Sequence, residues 1–198
     1  MPKIIQLRTS MPDSWMEKQV NRLLRHEHYN RVIGSEPVDV LKPNGRPLLL
    51  LRKGVLPVSC CDYARPSLRK AGTKFSNHRG FNSGLIGFFK GQKSAFTARH
   101  VLDWYRCLPF IRACNAAYRR ELPSKYSEQQ RLAEKTPSGL IIPGTVFTTG
   151  TVNRWNAIGH NGYSYVHDDD GDLGFGVISV LSRGNYSGGY LCFPKWRI

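Results

Sequence analysis

The chain has 198 residues, 29 Lys and Arg against 14 Asp and Glu, a formal net charge of +15 and a pI near 9.9. Its apolar share of 40% and aromatic share of 11% are enough to bury a core and exclude a disordered chain. No apolar run approaches the roughly 18 residues of a membrane span, the N-terminus MPKIIQLRTSMPDSW has no signal-peptide stretch, and the five cysteines lack CxxC spacing, so neither a membrane partner nor a zinc ribbon or disulfide framework is expected.

Residues 15–29, WMEKQVNRLLRHEHY, predict a basic amphipathic helix with Trp15, Val20, Leu23 and Leu24 on its apolar side and Asp13 or Ser14 as cap. VDVL and PLLLLR, in residues 38–52, predict two short strands joined at Pro43-Asn44-Gly45, a hairpin signal. Residues 72–83 have loop composition, and GLIGFF (84–89) predicts a buried strand. Residues 100–122 give the longest helical pattern, an apolar stripe through Val101, Leu102, Tyr105, Leu108, Ile111, Cys114, Ala117 and Tyr118, with Pro109 expected to kink or split it. A short helix over 124–135, capped by Ser124, is expected next. From Pro137 onward β-branched and aromatic runs (GLIIPG, TVFTTGTV, YSYV, FGVISVL, YLCF) predict strands. Helices first and strands after favour an α+β fold, with N-terminal helices supporting a sheet.

The charge is unevenly placed. Residues 1–135 hold 25 basic and 10 acidic side chains, whereas residues 136–198 hold four of each, the acids packed into Asp168, Asp169, Asp170 and Asp172. A basic body beside an acidic cluster points to a polyanion surface next to a cation site. Two motifs fail on inspection. GFFKGQKS (87–94) has the outline of a phosphate loop, but Gln92 stands where glycine must precede the lysine. The aspartate cluster, laid on a calcium loop from Asp168, puts Leu173 at the glycine position and Ser179 at the bidentate glutamate position. Cys114 lies on the apolar helix stripe and reads as core rather than as a nucleophile.

His167-x-Asp169 follows the aromatic run YSYV. Residues two apart in an extended segment project to one side, so an imidazole and a carboxylate converge there, a donor pair that suits Fe(II). Seventeen residues after His167 begins Gly184-Asn185-Tyr186-Ser187-Gly188-Gly189-Tyr190-Leu191-Cys192-Phe193-Pro194. In these two motifs the sequence resembles the 2-oxoglutarate/Fe(II) dioxygenases. Ile142-Pro143-Gly144-Thr145-x-Phe147-Thr148-Thr149-x-Thr151-Val152-Asn153, with His167, Asp169, Gly171 and Asp172, resembles the TET/JBP group, especially its phage and viral members. Asn44-Gly45-x-Pro47-Leu48, Asn77-x-Arg79-Gly80, Ser83-Gly84-x-Ile86-Gly87 and the pair Thr97 and Trp104 agree upstream.

The resemblance divides the chain into a basic N-terminal helical segment, 1–35, and a dioxygenase-like domain, 36–198. It implies a double-stranded β-helix (jelly-roll), Fe(II) and 2-oxoglutarate as cofactors, DNA as partner, and oxidation of the 5-methyl group of a pyrimidine, thymine or 5-methylcytosine. It assigns His167 and Asp169 as metal ligands, and Asn153 and, more loosely, Arg154 as residues lining the cosubstrate or base pocket. It also implies a second histidine and an arginine that pairs with 2-oxoglutarate, both after Asp169. The six histidines are 26, 28, 78, 100, 160 and 167, none of them after Asp169, and neither Arg183 nor Arg197 fits the arginine's place. The expectation is a partial β-helix, inactive alone, that a C-terminal fragment would complete. The competing expectations are a non-catalytic basic nucleic-acid-binding protein and, less favoured, a dioxygenase acting on protein or small molecules. An intracellular, reducing location, in cytoplasm or nucleus, is expected in each case.

Overall fold

The computed structural model describes residues 2–34, 36–72, 82–154, 175–181 and 191–198. These fall into two compact units, one of residues 2–34, 36–55 and 191–198, the other of residues 56–72, 82–154 and 175–181. Compactness thus divides the chain after Val55, whereas the resemblance draws its line at residue 36. The fold is α+β: among the described residues there are two three-stranded sheets and five α-helices, and no closed barrel.

In the first unit, β1 (Lys3–Gln6) pairs in parallel with β2 (Val38–Leu41), which pairs antiparallel with β3 (Pro47–Leu51). The hairpin falls where the Asn-Gly signal placed it, and Asn44 Oδ1 accepts from the Arg46 N–H at 3.1 Å. Val38 and Val40 bury one face of the sheet with Leu7 and Ile198. The backbone of 191–198 is tied to the N-terminal part, with Met11 N–H donating to Lys195 O at 2.7 Å and Asn30 N–H to Arg197 O at 3.0 Å. Helix α1 is only Asp13–Glu17, followed by turns, Asn21 at φ 65 and a single 3-10 turn at His26–His28. The expected helix over 15–29 does not form. Its like charges Lys18, Arg22 and Arg25 sit four and three residues apart, where they would repel on one helix face, and Val20 is left exposed. Neither Asp13 nor Ser14 caps α1, which starts after Pro12 without a side-chain bond.

The second unit is built around β4 (Asn82–Phe89), the central strand of the order β5-β4-β6. β5 is Gln92–Lys93 and β6 is Thr149–Arg154, both antiparallel to β4. Helices α2 (Val58–Ala71), α3 (Ala95–Arg99), α4 (Val101–Glu121) and α5 (Pro123–Glu134) accompany the sheet. One core joins Ala64, Leu68 and Ala71 of α2, Ile86 of β4, Phe96 of α3, Trp104, Leu108, Ile111 and Cys114 of α4, and the loop residue Ile142. Helix α4 runs unbroken through Pro109, where Leu108, Phe110 and Ile111 around the proline are buried, and this packing outweighs the lost hydrogen bond. Helix α5 starts one residue before the expected span, with Pro123 in its first turn, where a missing N–H costs nothing; Ser124 is inside the helix and does not cap it.

Among the described residues the strand-rich reading beyond Pro137 holds only for β6; YSYV lies outside them. Ser138–Leu140 is a 3-10 turn, and residues 175–181 and 191–198 contain no strand. Val177, Ile178 and Val180 are exposed, and β-branched residues without a paired neighbour have no ladder to join.

Two contacts fix how closely these elements approach. A Cβ on Gly84 would lie 1.8 Å from the carbonyl oxygen of Ala71 at the end of α2. Between α2 and α4, Asp103 accepts from Ser67 Oγ at 2.9 Å and from Lys70 Nζ at 2.6 Å. These bonds, the Lys70 ammonium first, hold the Asp103 carboxyl below its ordinary range.

Gly84→Ala is expected to cost about 3 kcal/mol or more, or to prevent folding, because the obstruction is backbone and cannot rotate away. Urea unfolding of the purified variant measures it. Asp103 has a lower pKa folded than unfolded, so its stabilisation is full above the unfolded value and is lost as pH falls through the folded one. Asp103→Asn is expected to lower stability by about 1 kcal/mol at pH 7, with the gap to wild type narrowing below about pH 4; unfolding midpoints across pH 2–7 read this.

Candidate functional site

The residues that carry the family resemblance divide into those that build the β4–β6 region and those proposed to do chemistry. Gly87 and Thr97 belong to the first group. The Gly87 N–H donates to Thr97 Oγ1 at 2.8 Å, and Ser94 caps α3 by accepting the Thr97 N–H at 3.2 Å. A Cβ on Gly87 would meet the Thr148 carbonyl at 2.6 Å and Ile142 Cδ1 at 2.9 Å. Trp104 is buried in the core.

The run from Ile142 to Thr148 is a tight loop that delivers β6. Ile142 is wholly buried, and its N–H donates to Phe147 O at 2.8 Å. Thr145 Oγ1 donates to Ile142 O at 2.9 Å and accepts from the Phe147 N–H at 3.0 Å. Helix α4 grips this loop twice. Asn115 Oδ1 accepts from the Val146 N–H at 3.0 Å, and Arg112 Nε donates to Pro143 O at 2.9 Å. Thr149 Oγ1 donates to Phe88 O at the start of β6.

β6 then runs antiparallel to β4 in the register Gly87–Thr149, Leu85–Thr151 and Ser83–Asn153. Its side chains alternate. Val152 packs against the core, while Thr151 and Asn153 are exposed on the other side. Asn153 thus sits near the strand's end on the solvent side. Arg154 is the last residue of β6, its backbone opposite Asn82. Asn77, Arg79, Gly80, the aspartates 168–172, His160, His167, Asp169 and residues 184–190 lie outside the described residues.

Among the described residues no group of three His, Cys, Asp or Glu side chains is placed to hold a metal ion. The segment 87–94 is a β-hairpin, with its turn at Lys90 (φ 49) and Gly91 (φ 77), and no phosphate cradle. Cysteines 107 and 114 are buried in α4. Burial pushes the Cys107 thiol up to about 12 and raises that of Cys114, whose Sγ lies 3.3 Å from Ser179 Oγ. Neither is poised as a nucleophile at neutral pH. Burial likewise raises Cys192, to about 11. No helix among the described residues is long and apolar enough to cross a membrane.

No protein-family model, curated protein or solved structure matches this chain. Sequence reasoning missed two features that position β6: the Asn115 side chain and the Thr97 acceptor for Gly87. Asn115 falls inside the apolar stripe of α4, and a polar residue at such a position is the signal that reveals it.

Thr97→Val leaves the buried Gly87 N–H without its acceptor. It is expected to destabilise the protein by about 1–3 kcal/mol, and Thr97→Ser by clearly less, as chemical denaturation of the two variants would report.

Proposed function

We propose that this chain carries part of a TET/JBP-type 2-oxoglutarate/Fe(II) dioxygenase domain that acts on the 5-methyl group of a DNA pyrimidine. The observation that supports the reading most directly is β6. The stretch Thr149–Asn153, which resembles the family, is an ordered strand on a central neighbour, and it presents Thr151 and Asn153 outward. Twelve residues separate its last residue, Arg154, from His167. In this reading β4, β5 and β6 belong to a partial double-stranded β-helix (jelly-roll).

His167 and Asp169 offer one imidazole and one carboxylate, a donor set that suits Fe(II). When bound, iron and 2-oxoglutarate supply the oxidising power for the methyl group. The chain's own residues have simpler tasks. The Asn153 amide, on the exposed side of β6, has both a donor and an acceptor for a base edge or cosubstrate carboxylate. Arg154, next in sequence, adds a positive charge. The basic body of residues 1–135 attracts the phosphates, and a target base has to leave the stack to be reached. The reading requires a second histidine and a 2-oxoglutarate-binding arginine from further sequence or from a second polypeptide.

A non-catalytic nucleic-acid-binding role is the second reading, favoured by the net charge of +15. Metal analysis and DNA binding on the same preparations separate the two. The 198-residue chain is expected to take up Fe(II) weakly and to lose it in His167→Ala and Asp169→Ala with DNA affinity unchanged. Turnover of methylated duplex is expected only after the missing histidine and arginine are supplied. Iron uptake that both variants retain would favour the second reading. In either case DNA affinity is expected to fall steeply with salt, by about 0.9 logarithmic units per contacted phosphate for each tenfold rise.

A further inference from the structure

Helix α4 is the longest element of the second unit, and its two sides differ sharply. Trp104, Cys107, Leu108, Phe110, Ile111 and Cys114, with residues 115, 117 and 118, are buried. At 100° per residue these fill one side of the helix. The exposed residues occupy the remaining arc and include Tyr105, Arg106, Arg112, Arg119 and Arg120. No carboxylate belongs to that arc. The helix's two acids, Asp103 and Glu121, lie on its half-buried edge, Asp103 turned to Ser67 and Lys70 of α2.

The arginines are ordered within the arc. Arg112 and Arg119 are seven residues apart and share one margin; Arg106 and Arg120 are fourteen apart and share the other. Between the margins lie Pro109, Ala116 and the exposed ring of Tyr105. From Arg106 to Arg120 the helix advances about 21 Å at 1.5 Å per residue.

One margin is held in place. Arg112 donates through Nε to Pro143 O, and the Arg119 guanidinium lies over the Tyr126 ring at 5.9 Å. A guanidinium engaged through Nε or through its face keeps other N–H donors for a second acceptor. On the other margin, Arg106 Nη1 is 3.9 Å from Asp103, and Arg120 Nε bonds Glu121 at 2.9 Å.

We propose that this face of α4 docks on the phosphate backbone of duplex DNA, one arginine margin to each strand. An α-helix is about 10–12 Å across and the major groove about 12 Å wide, so a helix lying along the groove meets one strand with each margin. Tyr105, between the margins, stands where the floor of the groove would be. Arginine forks match phosphate oxygens bidentately. An extended acidic peptide would present a single row of charge and leave one margin unused, whereas duplex DNA offers a phosphate strand to each. The inference rests on the nucleic-acid part of the proposed function, and it names the surface that part requires.

The test is fluorescence anisotropy of a short labelled duplex over a salt series. Wild type is compared with Arg106→Gln/Arg120→Gln, Arg112→Gln/Arg119→Gln and the quadruple variant. A control variant, Lys3→Gln/Arg8→Gln/Lys18→Gln/Arg22→Gln, carries the same charge change on exposed residues of the first unit. Thermal melts confirm folding, and the two double variants keep the comparison open if the quadruple variant does not fold. The quadruple variant is expected to bind at least about tenfold more weakly at 0.1 M salt and to flatten the log K against log salt slope by about 3.6, roughly half of this for each pair. An arginine-to-lysine quadruple is expected to keep most of the slope. Equal losses in the control and α4 variants, or unchanged slopes in the α4 variants, would overturn the assignment to this face while leaving DNA binding intact. A wild-type chain that binds no duplex would overturn the nucleic-acid reading itself. Binding to RNA or to an acidic peptide, but not to duplex DNA, would overturn the choice of occupant.

Discussion

The second unit depends on how closely its central strand approaches its helices. β4 has one neighbour on each side, so its distance from α2 sets the position of β5 and β6 as well. That distance is set at Gly84, where the Ala71 carbonyl occupies the space of a side chain. Three residues on, Gly87 repeats the constraint against Thr148 and Ile142, and its N–H is bound by Thr97. Ile86 lies between the two glycines and fills the core. A small change in this strand would therefore move the whole sheet, because close-packed interiors transmit displacement instead of absorbing it.

This packing changes the meaning of the family resemblance. Ser83-Gly84-x-Ile86-Gly87, Thr97, Trp104 and the run from Ile142 to Thr149 all take part in one connected arrangement of strand, helix and loop. Each is accounted for by close approach, a buried hydrogen bond or core volume. They serve packing in this fold and say nothing about chemistry. Among the described residues only the outward side of β6, with Thr151 and Asn153, is not needed to hold that scaffold together. The chemical part of the resemblance rests on His167 and Asp169.

The sequence was most legible where local signals and burial agree. The Asn44-Gly45 turn placed the first hairpin, and the helical period of residues 100–122 placed α4, although Pro109 does not split it and Val101, Leu102 and Tyr105 of the stripe are exposed. It was least legible where propensity stood alone. Residues 15–29 have helical periodicity, but the like charges of Lys18, Arg22 and Arg25 and the lack of a partner for Val20 leave only the first turn or so helical. FGVISVL has strand composition but no paired strand. Of the candidate site, the strand run read from the sequence stops at Val152, and the structure carries the strand on through Asn153 and Arg154. The sequence could not show that Asn115 and Thr97 hold that strand's surroundings, because hydrogen bonds between residues ten or thirty positions apart leave no local pattern.

Electrostatics and packing meet in α4. Among the described residues, four carboxylates of this unit are engaged close to home: Asp103 with α2, Asp62 with Arg65, Glu121 with Arg120 and Glu128 with Lys125. Short-range pairs of this kind cancel locally and leave the more distant arginines to set the field at the surface. Asp103 is decisive because it lies on the side of α4 that meets α2, drawing negative charge toward the helix pair and away from the solvent arc. The same residue that joins the two helices thereby leaves arginines as the charged residues of the outer face of α4, beside the exposed Val101, Leu102 and Tyr105. A surface of that kind needs no exceptional number of charges. It needs only that the acids be used inside the fold and the arginines be carried on the stripe that packing leaves exposed.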